Sequence, residues 1–437
     1  MGDGVSGSRP VRPHRSSPER ASGPGSPRPP VRKVDLEHLS RGSTQSRRDY
    51  PRAQVRPAPD TPSVARSSLP AGGRSRSVRP VDPAEIRRIV IRVNNWIGDV
   101  VMISPAMRAI RAHFREARIA ILAKRWVLET LRGDPFYDDL IEYDNAGAHQ
   151  GLAGRLRLAA ALRRERFDLA ILFQKAFDAA ALALLGGARF RIGYATDARS
   201  WLLTHPLKPP PSETHHVEVF LGIARALGCP IIDALPSFHL SAGDRAEAGS
   251  LLDAAGFSGL RPLVTLHPGA SKEPRAWHPD RFTDLGRRLA ERNGARIILL
   301  GSTDERRLLE RIAGGIPRDV VLLPAPGLRI KVAAAIVERC HLFVGNDSGP
   351  MHMAAALGVP TVAIFGPGTP RRTAPLASRG RIVSLTKDYP CSPCRQDFFR
   401  ECPASPAGKP FCLEEIQIDE VERAAAGLLA RAEGAAS

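Results

Sequence analysis

The chain has 437 residues, 43% of them hydrophobic and 25% charged, which is enough apolar material for two or three cored domains and excludes a disulfide-stapled mini-domain. No run approaches the roughly 20 consecutive apolar residues of a membrane-spanning helix, and the amino terminus carries charge, Pro and Gly where a signal peptide would be apolar, so a soluble cytoplasmic protein is expected. Lysine and arginine number 63 against 45 acids, and this net +18 points to an anionic partner such as nucleic acid, a lipid surface or a phosphorylated substrate.

Much of the charge lies at one end. Residues 1–80 hold 16 Lys and Arg against 6 acids, a net +10, and 13 of the 39 prolines, which leaves +8 for the other 357 residues. With almost no aromatic residue, this stretch cannot bury enough surface to offset the entropy of ordering, and 1–84 reads as a disordered basic tail. Contact with anionic lipid or RNA is one role for it; a solvated extension is the other, and the lack of aromatics between the arginines favours the latter.

From Ile86 onward, short apolar runs alternate with amphipathic stretches of helical length, the pattern of βαβ units around parallel sheets. The first half is expected to carry strands at 89–93, 119–122, 169–173 and 190–193, with helices near 100–115, 151–165, 177–185 and 215–228. The second half is expected to carry strands at 263–267, 296–301, 320–323, 342–345, 361–365 and 382–385, with helices near 279–293, 304–314, 329–340 and 350–358. A polar stretch over 241–262, containing a helix at 244–255, connects the halves, and a last helix over 419–431 has Asp419 as its expected cap. Two doubly wound α/β domains turn the carboxyl ends of their strands, and hence their ligand loops, toward a common cleft.

Four motifs fall on such loops or near them. After the first strand, Asn94-Asn95-Trp96-Ile97-Gly98-Asp99 lacks the three glycines of a dinucleotide site and offers one acid instead. Asp99 suits a general base for an acceptor hydroxyl, or a carboxylate that only offsets a helix dipole. Near the carboxyl end, Gly345-Asn346-Asp347-Ser348-Gly349-Pro350-Met351-His352 runs from a buried strand into a helix started by Pro350 and stopped by Gly358. Its amides at Ser348 and Gly349 can hold a phosphate, with Asp347 beside them and His352 within reach of the same anion; the alternative is a plain helix cap with a core histidine. The loop His267-Pro268-Gly269-Ala270-Ser271-Lys272-Glu273-Pro274-Arg275-Ala276-Trp277 adds the Ser271 hydroxyl and two cations, Lys272 and Arg275, suited to a diphosphate leaving group or simply to solvent. Finally, Cys391-x2-Cys394-x7-Cys402-x9-Cys412 is compatible with a structural zinc site, reduced thiols or redox pairing, none of which makes the cluster catalytic.

Together, Gly98-Asp99, the His267-Pro268-Gly269-Ala270 turn with Arg275-x-Trp277, and Asp347-Ser348-Gly349-x-x-His352 resemble glycosyltransferase family 9, the ADP-heptose:lipopolysaccharide heptosyltransferases. The stretch Arg191-Ile192-Gly193-Tyr194-Ala195-Thr196-Asp197-Ala198-Arg199 with His205, and the cysteine-rich segment, are nearest to heptosyltransferase II. The resemblance spans 86–431 and implies a GT-B fold, with an acceptor-binding domain over 85–240 and a nucleotide-sugar-binding domain over 241–437. It implies an inverting transfer of heptose or a related sugar from an ADP-activated donor to an anionic, lipid-linked inner-core acceptor. In that scheme Asp99 is the base; Ser271, Lys272, Arg275, Asp347, Ser348, Gly349 and His352 hold the donor; and Asp304 or Glu305 contacts the ribose. No catalytic metal or other cofactor is required, because fixed cations neutralise the diphosphate. Peripheral contact with the inner face of the cytoplasmic membrane is expected, and no specific nucleic acid. The rival readings are a nucleotide-binding module without turnover and a transferase of the same fold acting on another nucleotide sugar and glycan.

Overall fold

The computed structural model describes Met1 and residues 80–377, 380–389, 391, 394, 396, 398–399, 402 and 404–434, so the tail expected over 1–84 falls almost wholly outside the described residues. The first half carries β1 (Arg88–Arg92), α1 (Ile97–His113), β2 (Arg118–Ala123), α2 (Arg125–Leu131), β3 (Asp139–Glu142), α3 (Gly151–Arg164), β4 (Leu169–Leu172), α4 (Phe177–Leu185), β5 (Phe190–Tyr194), β6 (His205–Leu207) and α5 (His216–Ala226). The second half carries α6 (Ala242–Ala254), β7 (Leu263–His267), α7 (Pro279–Asn293), β8 (Arg296–Leu299), α8 (Arg306–Gly314), β9 (Val321–Leu322), α9 (Ile330–Glu338), β10 (Leu342–Asn346), α10 (Gly349–Ala356), β11 (Thr361–Ile364), α11 (Pro370–Thr373), β12 (Ile382–Leu385), α12 (Phe411–Glu414) and α13 (Ile418–Gly434).

Each half is a six-stranded parallel sheet, ordered β3-β2-β1-β4-β5-β6 in the first and β12-β11-β10-β7-β8-β9 in the second. Counted within each half, both orders are 3-2-1-4-5-6. The chain therefore reverses direction between β1 and β4 and again between β7 and β10, and ligands of open α/β sheets bind at such switch points. The central strands are covered on both faces and so read as apolar runs: every residue of β4, β7 and β10 is buried. Helices α1 and α5 cover one face of the first sheet and α3 and α4 the other. In the second sheet α7 and α13 lie opposite α6, α9 and α10.

Five elements escaped the periodicity: β3, β6, α2 and the four-residue helices α11 and α12. Strand β3 is a four-residue, half-buried edge, and β6 is three residues around Pro206, which only an edge tolerates. Helix α2 is a seven-residue element too short for a clear period. The last helix begins at Ile418, so Asp419 lies in its first turn and pairs with Arg288 at 2.6 Å instead of capping. The connection expected over 241–262 contains α6, capped reciprocally: Asp244 N donates to Ser241 Oγ at 3.1 Å and Ser241 N donates to Asp244 Oδ2 at 3.1 Å.

Helix α1 belongs to both halves. Its Val101 is buried in the core around α9 and α10, while Ile103 and Ile110 pack on the first sheet. Pro105 inside this helix removes the amide that would bond the Val101 carbonyl; Ser104 Oγ donates to that carbonyl at 2.7 Å and accepts from Ser237 N at 2.8 Å, tying this turn of the helix to the chain that leads into the second half. A buried ion pair joins the halves as well, with Lys331 Nζ 3.3 Å from Asp134 Oδ1 and donating to the His239 carbonyl at 2.6 Å. Burial pushes the Asp134 carboxyl up to about 6 despite the pull of Lys331.

Candidate active site

The turns after β7 and β10 are built around one buried side chain. Asn346, fully buried at the end of β10, donates through Nδ2 to the carbonyls of Pro268 at 2.8 Å and Gly269 at 3.3 Å, and its Oδ1 accepts from Trp277 N at 3.0 Å. Trp277 is itself fully buried and anchored by Nε1 to the Ile416 carbonyl at 2.9 Å. The 268–277 loop is thus clamped at both ends, and the charged residues between its anchors are held in place.

Of the two cations in that loop, Arg275 takes the inner position. Its Nη2 pairs with Asp347 Oδ2 and donates to the Asp347 carbonyl at 3.1 Å, while Nη1 donates to Ser271 Oγ at 3.2 Å. Asp347 is 7% exposed, and burial pushes its carboxyl up against the pull of Arg275. Lys272 is exposed at the rim, its Nζ 5.5 Å from the Phe398 ring. Ser348 precedes α10 but makes no side-chain cap bond, and its hydroxyl is buried without a hydrogen-bond partner. The turn therefore presents a hydroxyl and a helix amino terminus that its own side chain leaves uncapped.

Asp99 stands in the first turn of α1, its Oδ2 accepting from Asn94 Nδ2 at 2.9 Å and its Oδ1 lying 3.4 Å from His216 Nδ1. The amino ends of α1 and α10 abut. A Cβ on Gly349 would come 2.9 Å from Ile97 Cβ and 3.3 Å from Gly98 N, and one on Gly98 would come 2.9 Å from the His352 ring. Only glycine fits at these two positions. Two positive helix ends held together favour negative charge at their junction, and Asp99, in the first turn of α1, stands there.

His352 lies at this junction, 5% exposed. Burial, with His215 adding to it, pushes its imidazole down to about 3, so the ring is neutral near neutral pH and can act there as a hydrogen-bonding group but not as a cation. The unfolded chain protonates this histidine near 6.5, the folded chain only near 3; between these values the unfolded state binds more protons, and stability falls as the pH drops. His352→Gln is expected to flatten the pH dependence of the unfolding free energy between pH 4 and 6.5 by up to about 1.4 kcal/mol per pH unit, read by urea melts across that range. Parallel slopes for the two proteins would contradict the buried neutral state.

The two acids proposed for ribose separate clearly. Asp304 is exposed, whereas the Glu305 carboxylate reaches back over the turn after β7: Ser302 N and Oγ donate to its Oε2 at 2.7 and 2.9 Å, and a Cβ on Gly269 would stand 1.8 Å from Oε1. Cys391, Cys394, Cys402 and Cys412 line one small cavity with Lys387 and Tyr389, and burial together with the other three thiols pushes Cys412 up to about 12. Among the described residues no group of three or more ligating side chains is arranged to hold a metal ion.

Several further residues shape the junction. Asn94 and Asn346 are the supports of Asp99 and of the two turns. Lys175 follows β4 at the first switch point; desolvation and Arg372 lower its basicity while Asp99 restores part of it. His215, His216 and Arg372 come from α5 and α11, far from the motifs in sequence. A histidine pair at a helix start was the one local signal for them.

The profile of "Glycosyltransferase family 9 (heptosyltransferase)" matches residues 155–404. The chain is 25% identical over 315 residues to lipopolysaccharide heptosyltransferase 2 of Escherichia coli, covering 69% of this chain and 89% of that protein. It is 25% identical over 309 residues to lipooligosaccharide heptosyltransferase 2 of Haemophilus influenzae, covering 68% and 88%. Among solved structures, E. coli ADP-heptose LPS heptosyltransferase II superposes with a TM-score of 0.65 at 23% identity, covering 79% of this chain and 99% of that one. A family 9 glycosyl transferase of Veillonella parvula superposes with a TM-score of 0.69 at 20% identity, covering 79% and 98%.

Proposed function

Because the chain belongs to glycosyltransferase family 9 and has the two Rossmann-like domains of a GT-B transferase, we propose that it moves a heptose from an ADP-activated donor to a hydroxyl of an inner-core lipopolysaccharide acceptor. The acceptor binds the domain over 85–240 and the nucleotide sugar the domain over 241–437. The observation that carries this reading is the meeting of the two switch points, which brings Asp99 of the first domain to the uncapped amino end of α10 in the second.

The reaction is a single displacement. The acceptor oxygen attacks the anomeric carbon from the face opposite the diphosphate, the bond to the diphosphate oxygen breaks, and the configuration inverts. Asp99 accepts the hydroxyl proton as that oxygen forms its bond. Arg275, Lys272, the Ser348 hydroxyl and the amides at Gly349 take up the charge that develops on the departing ADP, the step at which fixed donors contribute most. Ser271 keeps Arg275 oriented, and Glu305 receives the ribose hydroxyls.

The donor class is tested by thermal shift against a panel of nucleotide sugars. ADP-heptose at about 100 times its Kd is expected to stabilise the protein by about 2.7 kcal/mol, with UDP- and GDP-sugars giving less. A larger shift with another nucleotide base would replace the donor.

Among the described residues no helix is long and apolar enough to cross a membrane, so access to a lipid-linked acceptor requires contact from one side. The net +10 of residues 1–80 suits that contact with the inner face of the cytoplasmic membrane. Each basic residue near an anionic surface contributes about 1 kcal/mol, screened within a Debye length. Deleting 1–84 is expected to reduce co-sedimentation with anionic vesicles at low salt while sparing transfer to a soluble acceptor fragment. Equal sedimentation of both forms would reduce the segment to a solvated extension.

A further inference from the structure

We infer that His216 is a positioning residue that fixes the carboxylate of Asp99, and that Arg372 of the opposite domain sets the histidine tautomer on which this depends. The inference rests on Asp99 being the base. His216 begins α5 in the first domain, and its two ring nitrogens face different domains: Nδ1 lies 3.4 Å from Asp99 Oδ1, and Nε2 lies 3.4 Å from Arg372 Nη2. Arginine has no acceptor, so at that contact the guanidinium donates and Nε2 must offer its lone pair. In a neutral ring the proton is then on Nδ1, the nitrogen turned toward Asp99. That nitrogen is buried and makes no hydrogen bond. A buried donor left unpaired beside a carboxylate is a contact poised to close, and catalytic hydrogen bonds commonly tighten only when substrate arrives.

The other carboxylate oxygen of Asp99 is already taken, since Oδ2 accepts from Asn94. Closing the His216 contact would hold the carboxylate from both oxygens and leave its remaining lone pairs for the acceptor hydroxyl. The neighbouring histidine is fixed in the opposite sense: His215 Nδ1 accepts from Val217 N at 3.3 Å and Nε2 donates to the Ala374 carbonyl at 3.0 Å. Both contacts at the start of α5 are therefore made with the 372–374 segment of the donor domain. The first domain's base is oriented only where that segment is docked, so the donor domain controls whether the acceptor can be deprotonated.

The test measures kcat and KM for ADP-heptose and for truncated inner-core lipopolysaccharide with the purified full chain. His216→Ala is expected to lower kcat by about 10²-fold, the cost of a misplaced reacting group, with both KM values within about threefold. His216→Asn places an amide nitrogen where Nδ1 stands and recovers most of kcat; His216→Gln, whose amide reaches the Nε2 position instead, does not. Arg372→Ala lowers kcat in the natural background but much less in His216→Asn, which has no tautomer to set. An unchanged kcat in His216→Ala, no difference between the Asn and Gln variants, or an equal Arg372→Ala loss in both backgrounds would each overturn the inference. If His216→Ala fails to fold, the Asn and Gln pair decides alone. Asp99→Asn run alongside separates the two claims: near-normal turnover there removes the base, whereas an inactive Asp99→Asn with an unaffected His216 series removes only the positioning role.

Discussion

Asp99→Asn is expected to lower kcat by about 10²- to 10⁴-fold while leaving donor affinity within a few fold. The substitution keeps the shape of the side chain and its bond from Asn94 Nδ2, which the amide oxygen can still accept, and removes only basicity. Donor affinity should be spared because the groups proposed to hold the diphosphate stand on the other side of the junction, on the turns after β7 and β10. Asp99→Ala should lose at least as much turnover and adds the loss of a negative group at the amino end of α1, so it separates charge from basicity less cleanly. Steady-state transfer rates with isothermal titration of ADP check both halves of the expectation. Near-normal turnover in the Asn variant would assign proton removal to another group.

Arg275→Ala is expected to act on stability and binding together. Asp347 is almost fully buried and Arg275 is its ion-pair partner, so removing the guanidinium strands a carboxylate at a cost of about 3–5 kcal/mol, seen as a lower unfolding free energy at neutral pH. Affinity for ADP should weaken as well, since the same side chain is the inner cation proposed to bind the diphosphate, and its loss would then remove a charge-assisted bond of roughly 1.5–3 kcal/mol. Arg275→Lys should recover part of both losses and no more. An ammonium is a point charge, and it cannot at once bond the carboxylate, the Asp347 carbonyl and the Ser271 hydroxyl as the planar fork does. Unfolding and ADP titration curves that coincide for Arg275→Ala and the natural protein would mean that the donor site lies elsewhere.

The sheets were readable because their central strands are continuous apolar runs bounded by turn residues. Strand β7 spans 263–267 and α7 spans 279–293, the ranges that the pattern alone predicts, and α7 owes its ends to Pro279 in the first turn and to Gly294, whose φ of 63° closes the helix. The edges of the first sheet were not readable, since β3 and β6 have neither length nor alternation and are recruited by the strands beside them, whereas the edge strands β9 and β12 of the second sheet fall where the apolar runs place them. The site divides the same way. Asp99, Arg275, Asp347 and Ser348 stand in contiguous motifs at strand ends, where topology alone brings loops together. His216, Arg372 and Asn346 act across domains or between loops, and no spacing encodes a contact made after folding. The different placements of Asp304 and Glu305 were legible in principle, because Ser302-x-x-Glu305 is a capping-box pattern that turns the glutamate back toward the strand end. The neutrality of His352 needed the structure, as it follows from burial against Gly98 and not from any neighbour in sequence.

The most direct test of the central claim is a transfer assay in which the purified chain is mixed with ADP-heptose and inner-core lipopolysaccharide truncated before its heptoses or after the first, and the products are read by mass spectrometry and by NMR of the anomeric centre. The account predicts the gain of one heptose on the glycan, release of one ADP for each transfer, and an anomeric configuration opposite to that of the donor. Release of ADP without glycosylated product on any inner-core acceptor, or a product that retains the donor's configuration, would contradict it.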